Sequence, residues 1–245
     1  MIKSSTIIGC LLLLASTCLA DYANNDVKFK KIVCQDSSEI AVIKSDLDYP
    51  ISGTPSMVKA LQQDRFEKGI KFYETGCHQS LSKDYKELAT EGGFQFEFTS
   101  EDKVYVQNRK VIIYRSFDYR YDGGAHGMYG YSYDTYLKPN GEKFKIDSTA
   151  YKDVNKFREV VWDLLIKNNE DFLLEIMDYG TTMKTLPISS NIYFSKDSLS
   201  FHYYPYEIAP WAAGMPEIKV PYEVIIRLLK PRPAKILKEI QDSFR

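Results

Sequence analysis

The sequence lacks the short motifs that mark the commonest catalytic sites. It contains no G-x-S-x-G nucleophile motif, no H-E-x-x-H zinc motif and no P-loop. Its 3 histidines and 4 cysteines show no recognised metal-ligand spacing. We therefore expect no metal site and no cofactor, and nothing local supports a Ser, Cys or His nucleophile.

The sequence also lacks an excess of charge of either sign. Lys and Arg together number 32 and Asp and Glu number 33, which leaves a formal net charge of −1. Nucleic-acid-binding domains neutralise phosphates with clustered basic residues, so this balance argues against a nucleic-acid partner. With 44% hydrophobic and 27% charged residues, the composition is typical of a globular protein.

Long apolar runs are confined to the N-terminus. Lys3 precedes an apolar run over 7–18, and small residues stand at the −3 and −1 positions of a cleavage site after Ala20. The run is short for a membrane helix, which needs about 20 apolar residues. We therefore predict a signal peptide over 1–20 and a periplasmic or extracellular mature chain without a membrane span. Lipid anchoring through Cys18 and an uncleaved anchor are the less favoured alternatives.

Cysteine usage fits an exported chain. Cys10 and Cys18 would leave with the signal peptide, so Cys34 and Cys77 would remain in the mature protein. A pair of cysteines in an oxidising compartment favours a disulfide between them. Two buried thiols are the alternative, because a free cysteine packs like a small apolar residue.

Tyrosine is the compositional excess, with 19 residues, and it concentrates in residues 118–136. Alternate positions of this stretch are aromatic, which predicts two strands that face each other across a Gly-rich loop containing His126. Paired as a hairpin, the strands would form a cross-strand tyrosine ladder. The ladder is either a binding platform or part of the core, and core is the better-supported interpretation for most of it. Tyr121 and Tyr129 beside the loop are the best candidates for exposure.

The order of predicted elements indicates the fold class. Strands, a helix, more strands, the main helix after Asp153, a hairpin and a last strand with helices follow one another along the chain. We expect an α+β fold, a predominantly antiparallel sheet with helices packed on one face. We divide the mature chain into an N-terminal lobe at 21–92, a C-terminal lobe at 93–230 and a helical extension at 231–245.

Two motifs carry a family resemblance. The first is Asp-Gly-Gly-Ala-His-Gly at 122–127, followed by the aromatic hairpin, and the second is His-Tyr-Tyr-Pro-Tyr-Glu-Ile-Ala-Pro-Trp-Ala-Ala-Gly-Met-Pro-Glu at 202–217. Together they resemble a bacterial extracytoplasmic domain family. It includes the lysozyme-binding domain of the RsiV-type anti-sigma factor and the N-terminal region of the PdaC-type peptidoglycan deacetylase. The order of elements over 27–229 also fits this family.

The resemblance implies a sensing or accessory module that binds a lysozyme-like protein or a cell-wall glycan. It does not imply anti-sigma activity or deacetylation, because this sequence contains neither a sigma-binding segment with a membrane helix nor a deacetylase domain. The candidate binding residues are Tyr121, Asp122, Gly123, Gly124, His126, Gly127, Tyr129, Tyr204, Tyr206, Glu207 and Trp211.

Other interpretations of these residues remain open. The glycines and His126 could simply form a sharp turn, and the prolines of 204–216 could simply stiffen a loop. A peptidoglycan-active hydrolase could use Glu207 with Asp118 or Asp122 as a carboxylate pair. A structural envelope protein without a ligand is the third alternative. The functional interpretation of His126 requires the loops 122–128 and 204–216 to meet on one surface.

Overall fold

The computed structural model describes residues 26–67, 87, 90–168 and 170–244. The predicted signal peptide and Cys77 lie outside these residues. Cys34 is disulfide-bonded, and its pairing with Cys77 remains a prediction. None of the helices in the described part of the chain is long and apolar enough to cross a membrane.

Within the described ranges, the larger of two sheets contains six strands that pair in chain order. They are β1 (Lys28–Ser37), β2 (Ala41–Ser52), β3 (Phe96–Gln107), β4 (Val111–Tyr121), β5 (Met128–Leu137) and β6 (Glu142–Phe144). The pairing of β2 with β3 is parallel and the other pairings are antiparallel. The predicted lobes 21–92 and 93–230 thus share this sheet, because β1 and β2 precede residue 92 and the other strands follow it.

Helix α1 (Pro55–Arg65) packs against one face of the larger sheet. It begins at a proline, which the sequence predicts because the first helical turn does not need that N–H group. Met57 and Leu61 of α1 are buried against Leu47, Ile112 and other residues of the sheet. The apolar side chains recurring along the helix therefore fix it to this face.

The C-terminal half packs against the opposite face. Its elements are the helices α2 (Val154–Asn168), α3 (Glu170–Asp178), α4 (Tyr222–Leu228) and α5 (Pro231–Asp242), and a three-stranded antiparallel sheet of β7 (Ile192–Phe194), β8 (Ser198–His202) and β9 (Glu217–Pro221). Asp153 accepts hydrogen bonds from the N–H groups of Asn155 and Lys156, which confirms it as the predicted cap of α2.

Strand β4 shows why both faces are covered. Val111 and Ile113 belong to the core shared with the C-terminal half, whereas Ile112 and Tyr114 belong to the core under α1. Successive side chains of a strand point to opposite faces, so a run of buried residues requires packing on both. The predicted α+β class with a mostly antiparallel sheet is confirmed. The expectation of helices on one face is wrong, because β4 buries side chains on both sides and the larger sheet has helices on both faces. The described strands also divide between two sheets.

The polar run at 100–102 interrupts the alternation of apolar residues and predicts a turn, and this prediction is wrong. The polar run Ser100-Glu101-Asp102 continues inside β3 rather than ending a strand. Asp102 is buried beneath α1, where it forms a salt bridge with Arg65. A partner distant in sequence thus overrides the local turn preference, because it satisfies a carboxylate that would otherwise need water.

Candidate functional site

Strands β4 and β5 form the predicted hairpin. Tyr119 lies opposite Tyr129 and Phe117 lies opposite Tyr131, so the predicted cross-strand aromatic ladder is confirmed. The rings of Phe117 and Tyr131 pack with centroids 4.8 Å apart. Such pairs stiffen the two strands and hold the loop at their tip in place.

Most of this ladder lies outside the core, which differs from the interpretation favoured by the sequence. Tyr119, Tyr129 and Tyr131 are half-buried and belong to none of the three clusters of buried apolar residues. In the described part of the chain, the fully buried tyrosines include Tyr114, Tyr136, Tyr203 and Tyr222, and Tyr136 is at the end of the stretch with the opposite parity to the ladder. The alternation of residues along the strands places the ladder on one face of the sheet. How much of that face other elements cover depends on the packing of the whole fold.

The tip of the hairpin turns through glycines. Gly123 and Gly124 adopt φ values of +92° and +104°, which side chains with a Cβ rarely tolerate. The Tyr121 hydroxyl donates a hydrogen bond of 3.1 Å to the carbonyl of Gly124, and Asp122 forms a 2.7 Å salt bridge with Arg120. The tip therefore holds its shape through its own contacts, so its glycines are conformational devices.

The proline-rich segment 204–216 is also internally fixed. The Glu207 carboxylate accepts a 2.9 Å hydrogen bond from the N–H group of Tyr204, whose carbonyl accepts one of 3.0 Å from the Glu207 N–H group. Tyr206 adopts a φ of +69°, and its carbonyl accepts a hydrogen bond from the Tyr179 hydroxyl. A bulky residue in the left-handed region is uncommon and points to a constrained, locally strained loop.

The two loops meet. The His126 ring stacks on the Trp211 ring with centroids 4.1 Å apart and an angle of 22° between the planes. His126 Nε2 lies 3.1 Å from the Tyr206 hydroxyl, and Tyr129 packs edge-on to Trp211. Four of the predicted site residues thus form one cluster. We call His126, Tyr129, Tyr206 and Trp211 the aromatic cluster.

Segment 204–216 reaches the cluster by wrapping around the free edge of β5. The Tyr131 N–H group donates to Met215 Sδ, and Asn191 bonds both the N–H of Tyr133 (3.0 Å) and the carbonyl of Tyr131 (2.7 Å). These contacts satisfy backbone groups that β6 does not reach, because β6 pairs only with Thr135 to Leu137. Sequence reasoning missed Asn191, since its partners lie about 60 residues away.

On the opposite face of the hairpin lies a shallow pocket of about 320 Å³. It is lined by Asp118, Arg120, Met128, Tyr129, Gly130, Tyr204 and Pro205. We call it the hairpin pocket. Sequence reasoning named Tyr129 and Tyr204 as binding candidates and Asp118 only as a candidate acid. The even-numbered positions of the two strands were the signal for Arg120, Met128 and Gly130, because they share one face.

The three candidate acids make different local contacts. Glu207 caps its own turn and Asp122 pairs with Arg120, whereas Asp118 lines the hairpin pocket. Partial burial raises the pKa of Asp118, although a hydrogen bond from Ser100 opposes this shift. Within the described residues, no group of three or more His, Cys, Asp or Glu side chains could hold a metal ion.

The fold and the site define an α+β domain with an aromatic surface where a hairpin meets a proline-rich loop. Residues 144–223 match the model of a family described as "Protein of unknown function (DUF3298)". The matched residues 144–223 are therefore similar to a DUF3298 domain, and they include the segment that supplies Tyr206 and Trp211. No curated protein matches the chain.

Two solved structures share this fold. A DUF3298 family member from Bacteroides fragilis superposes with a TM-score of 0.67 at 22% identity, covering 88% of this chain and 98% of that chain. A DUF3298 family protein from Pseudomonas aeruginosa gives a TM-score of 0.54 at 17% identity, covering 85% and 97% of the two chains. At these identities the likeness shows the fold alone.

Proposed function

We propose that this chain is an exported, non-enzymatic binding module of the bacterial cell envelope. In this proposal its partner is a lysozyme-like enzyme, as the resemblance to the RsiV-type sensor domain implies. The observation that carries the proposal is the convergence of His126, Tyr206 and Trp211 from two loops about 80 residues apart in sequence.

The composition of this surface supports a protein partner. Tyr206 of the aromatic cluster is 45% exposed, and Met128, which precedes Tyr129 in β5, is 40% exposed. Tyrosine, tryptophan, methionine and arginine are enriched at protein interfaces, where rigid aromatic side chains add contact area at a low entropic cost. The stacking of Trp211 on His126 fixes both rings before a partner arrives, which reduces the ordering cost of binding.

The local contacts of the acids support a module without hydrolase activity. A carboxylate pair for glycoside hydrolysis must face the scissile bond from two sides. Glu207 and Asp122 are instead engaged in contacts within their own turns. If mass spectrometry found cleaved or deacetylated muropeptides after incubation with the pure protein, the non-enzymatic assignment would be wrong.

A peptidoglycan-type glycan is the second candidate partner. The hairpin pocket favours it, because tyrosine rings and an acidic side chain lie together there. Muropeptides therefore belong in the same binding experiments as lysozyme.

Titration calorimetry with lysozyme tests the proposal. We expect heat of binding at protein concentrations near 100 µM, a regime that detects interactions of roughly −5 kcal/mol. Trp211→Ala should lose about 2 kcal/mol or more, the loss typical of a central interface residue.

Tyr105→Ala provides a matched control. Tyr105 is a tyrosine of β3 with 43% exposure, and it contacts Tyr193 near the end of the strand away from the hairpin tip. Its removal should leave lysozyme binding unchanged. Absence of binding to wild type, or equal losses in the two variants, would reject the aromatic cluster as the lysozyme-binding surface.

The export part of the proposal has a separate test. Expression of the full chain in a bacterium and mass spectrometry of the exported product should give an N-terminus at Asp21, the residue after the predicted cleavage site. Recovery of the full chain inside the cell alone would contradict export.

A further inference from the structure

The hairpin pocket is built from two cross-strand pairs. Asp118 lies opposite Gly130, and Arg120 lies opposite Met128 in the next pair of the same face. Tyr204 and Pro205 close the pocket from segment 204–216. Residues from one rigid hairpin therefore form most of the wall, which suits a preformed ligand site.

Gly130 creates the space that Tyr204 occupies. A Cβ at position 130 would lie 2.4 Å from Tyr204 Cε1, well inside contact distance, so the ring lies directly on the backbone of β5. Ser132, two residues further along the same face, interacts with the Tyr204 hydroxyl. Tyr204 is 42% exposed even though its ring is packed on β5. An exposed, immobilised aromatic ring is a ready platform for an apolar ligand face.

The hairpin pocket retains one negative charge, at Asp118, that no salt bridge among the described residues compensates. Arg120 forms a salt bridge with Asp122 and also lies over the Phe98 ring. Asp118 receives a hydrogen bond from Ser100, but among the described residues no basic side chain forms a salt bridge with it. A carboxylate has about four acceptor positions, so Asp118 retains capacity for hydroxyl donors. Its negative charge also disfavours anionic ligands.

We propose that the hairpin pocket binds one neutral pyranose residue of a glycan. A pyranose ring presents an apolar C–H face, which would pack on Tyr204, and hydroxyl groups, which would donate to Asp118. The pocket volume lies at the lower end of the range of ligand sites, which matches a single sugar rather than a long chain. Sugars that carry a carboxylate would be rejected, because Asp118 would face a like charge.

This inference rests on the proposed function, since it assigns a ligand class to the same binding region. It adds that the glycan site lies on the Asp118 face of the hairpin, apart from the stacked rings of His126 and Trp211. The pocket shares Tyr129 with the aromatic cluster, but Asp118 and Gly130 lie outside that cluster, so variants at these two positions test the glycan site separately.

Calorimetry with two trisaccharides tests the assignment. Neutral triacetylchitotriose should bind the full mature chain with a dissociation constant of about 1 mM or tighter, whereas anionic trigalacturonate should bind at least about 10-fold more weakly. Gly130→Ala should weaken triacetylchitotriose binding about 10-fold or more, because the new methyl group displaces Tyr204. Asp118→Asn should reduce the preference for the neutral sugar over the anionic sugar.

Two further measurements keep the outcome interpretable. Tyr105→Ala should bind both trisaccharides as wild type does, and thermal unfolding should show that each variant is folded. No binding of triacetylchitotriose, equal binding of both sugars by wild type, or unchanged binding by folded Gly130→Ala would overturn the pyranose assignment. If one of these results is obtained and lysozyme still binds, only the pyranose assignment fails. If neither lysozyme nor triacetylchitotriose binds, the proposed function fails as well.

Discussion

The same face of strands β4 and β5 carries two polar sites with opposite properties. At one end lies a closed charged network, and we call it the Arg65 network. It consists of Arg65, Asp64, Asp102, Ser116, Asp134, Tyr136 and Lys143. At the other end lies the open hairpin pocket with Asp118. Only a few residues along the strands separate them.

In the Arg65 network, the charged and polar groups are paired with one another. The Arg65 side chain is 7% exposed and reaches two carboxylates, Asp102 and Asp134, and the Ser116 hydroxyl. Burial alone would lower the pKa of Arg65, but the charges of the two carboxylates outweigh it and raise the pKa. A network whose donors and acceptors are satisfied by one another fixes α1 on the sheet and leaves little for a ligand.

In the hairpin pocket, by contrast, the carboxylate of Asp118 has no salt-bridge partner among the described residues. Partial desolvation raises the pKa of Asp118, and no described cation compensates this carboxylate by a salt bridge. A polar group that costs stability and remains accessible is a typical feature of a binding site. On this sheet the pairing of the charges, more than their number, distinguishes polar residues that hold the fold together from those that are available to a ligand.

Removal of Arg65 should have the largest effect on stability. Arg65→Met leaves Asp102 and Asp134 without their shared cation, and breaking a buried pair costs about 3–5 kcal/mol. Urea denaturation measures the free energy of unfolding. Arg232→Met is the control, because its pair with Glu142 is 77% and 47% exposed and should contribute at most about 1 kcal/mol. Equal losses of unfolding free energy in the two variants would mean that the Arg65 network contributes no more to stability than an exposed ion pair.

Removal of the Asn191 side chain should lower the free energy of unfolding by less than the removal of Arg65. Asn191→Ala leaves the N–H of Tyr133 and the carbonyl of Tyr131 without the partner that covers this edge. Unsatisfied part-buried groups cost about 1–3 kcal/mol, so the free energy of unfolding should fall by that amount. Hydrogen exchange at Tyr133 should also become faster. A change below about 0.5 kcal/mol with unchanged exchange would show that water replaces Asn191 without loss.

Neutralising Asp118 should have the smallest effect on stability, and it should raise stability rather than lower it. Since the folded-state pKa of Asp118 is raised, the ionised carboxylate lowers stability above that pKa, and this penalty disappears as the pH falls below the unfolded value. Asp118→Asn should therefore raise the melting temperature at pH 7 by about 1–2 °C and leave it unchanged near pH 3.

Asp147→Asn is the matched contrast to Asp118→Asn. Hydrogen bonds from the Thr149 side chain and N–H group lower the pKa of Asp147, so its stabilising contribution exists above the unfolded pKa. That contribution is lost as the pH falls through the lowered folded pKa. The variant should be less stable than wild type at pH 7, and the difference should shrink in acid. The same sign for both variants at pH 7 would contradict the comparison between paired and unpaired carboxylates.

Much of the secondary structure was predictable because its signals are local. Pro55 marks the start of α1, Asp153 caps α2, and the alternation around 118–136 gives both strands of the hairpin. The continuation of β3 through Asp102 was not predictable, because its cause is Arg65, 37 residues earlier in the chain. Local preference indicates a turn there, and a long-range salt bridge decides against it.

The candidate site was predictable only in part. His126, Tyr206 and Trp211 stand out in two unusual loops, but nothing in the sequence gives their separation in space. The hairpin pocket was harder to foresee, because Gly130 resembles an ordinary strand glycine until Tyr204 is placed against it.

The α+β class, the hairpin and the two loops follow from the amino-acid sequence, because periodicity, caps and turn residues act over a few neighbouring positions. Three properties follow from long-range packing instead: the loops meet, the ladder is half-exposed, and Arg65 forms salt bridges whereas Asp118 forms none among the described residues. Those properties depend on the pairing register of β4 and β5 and on a segment that wraps their edge from about 80 residues away. Long-range packing of this kind leaves no local trace in the chain.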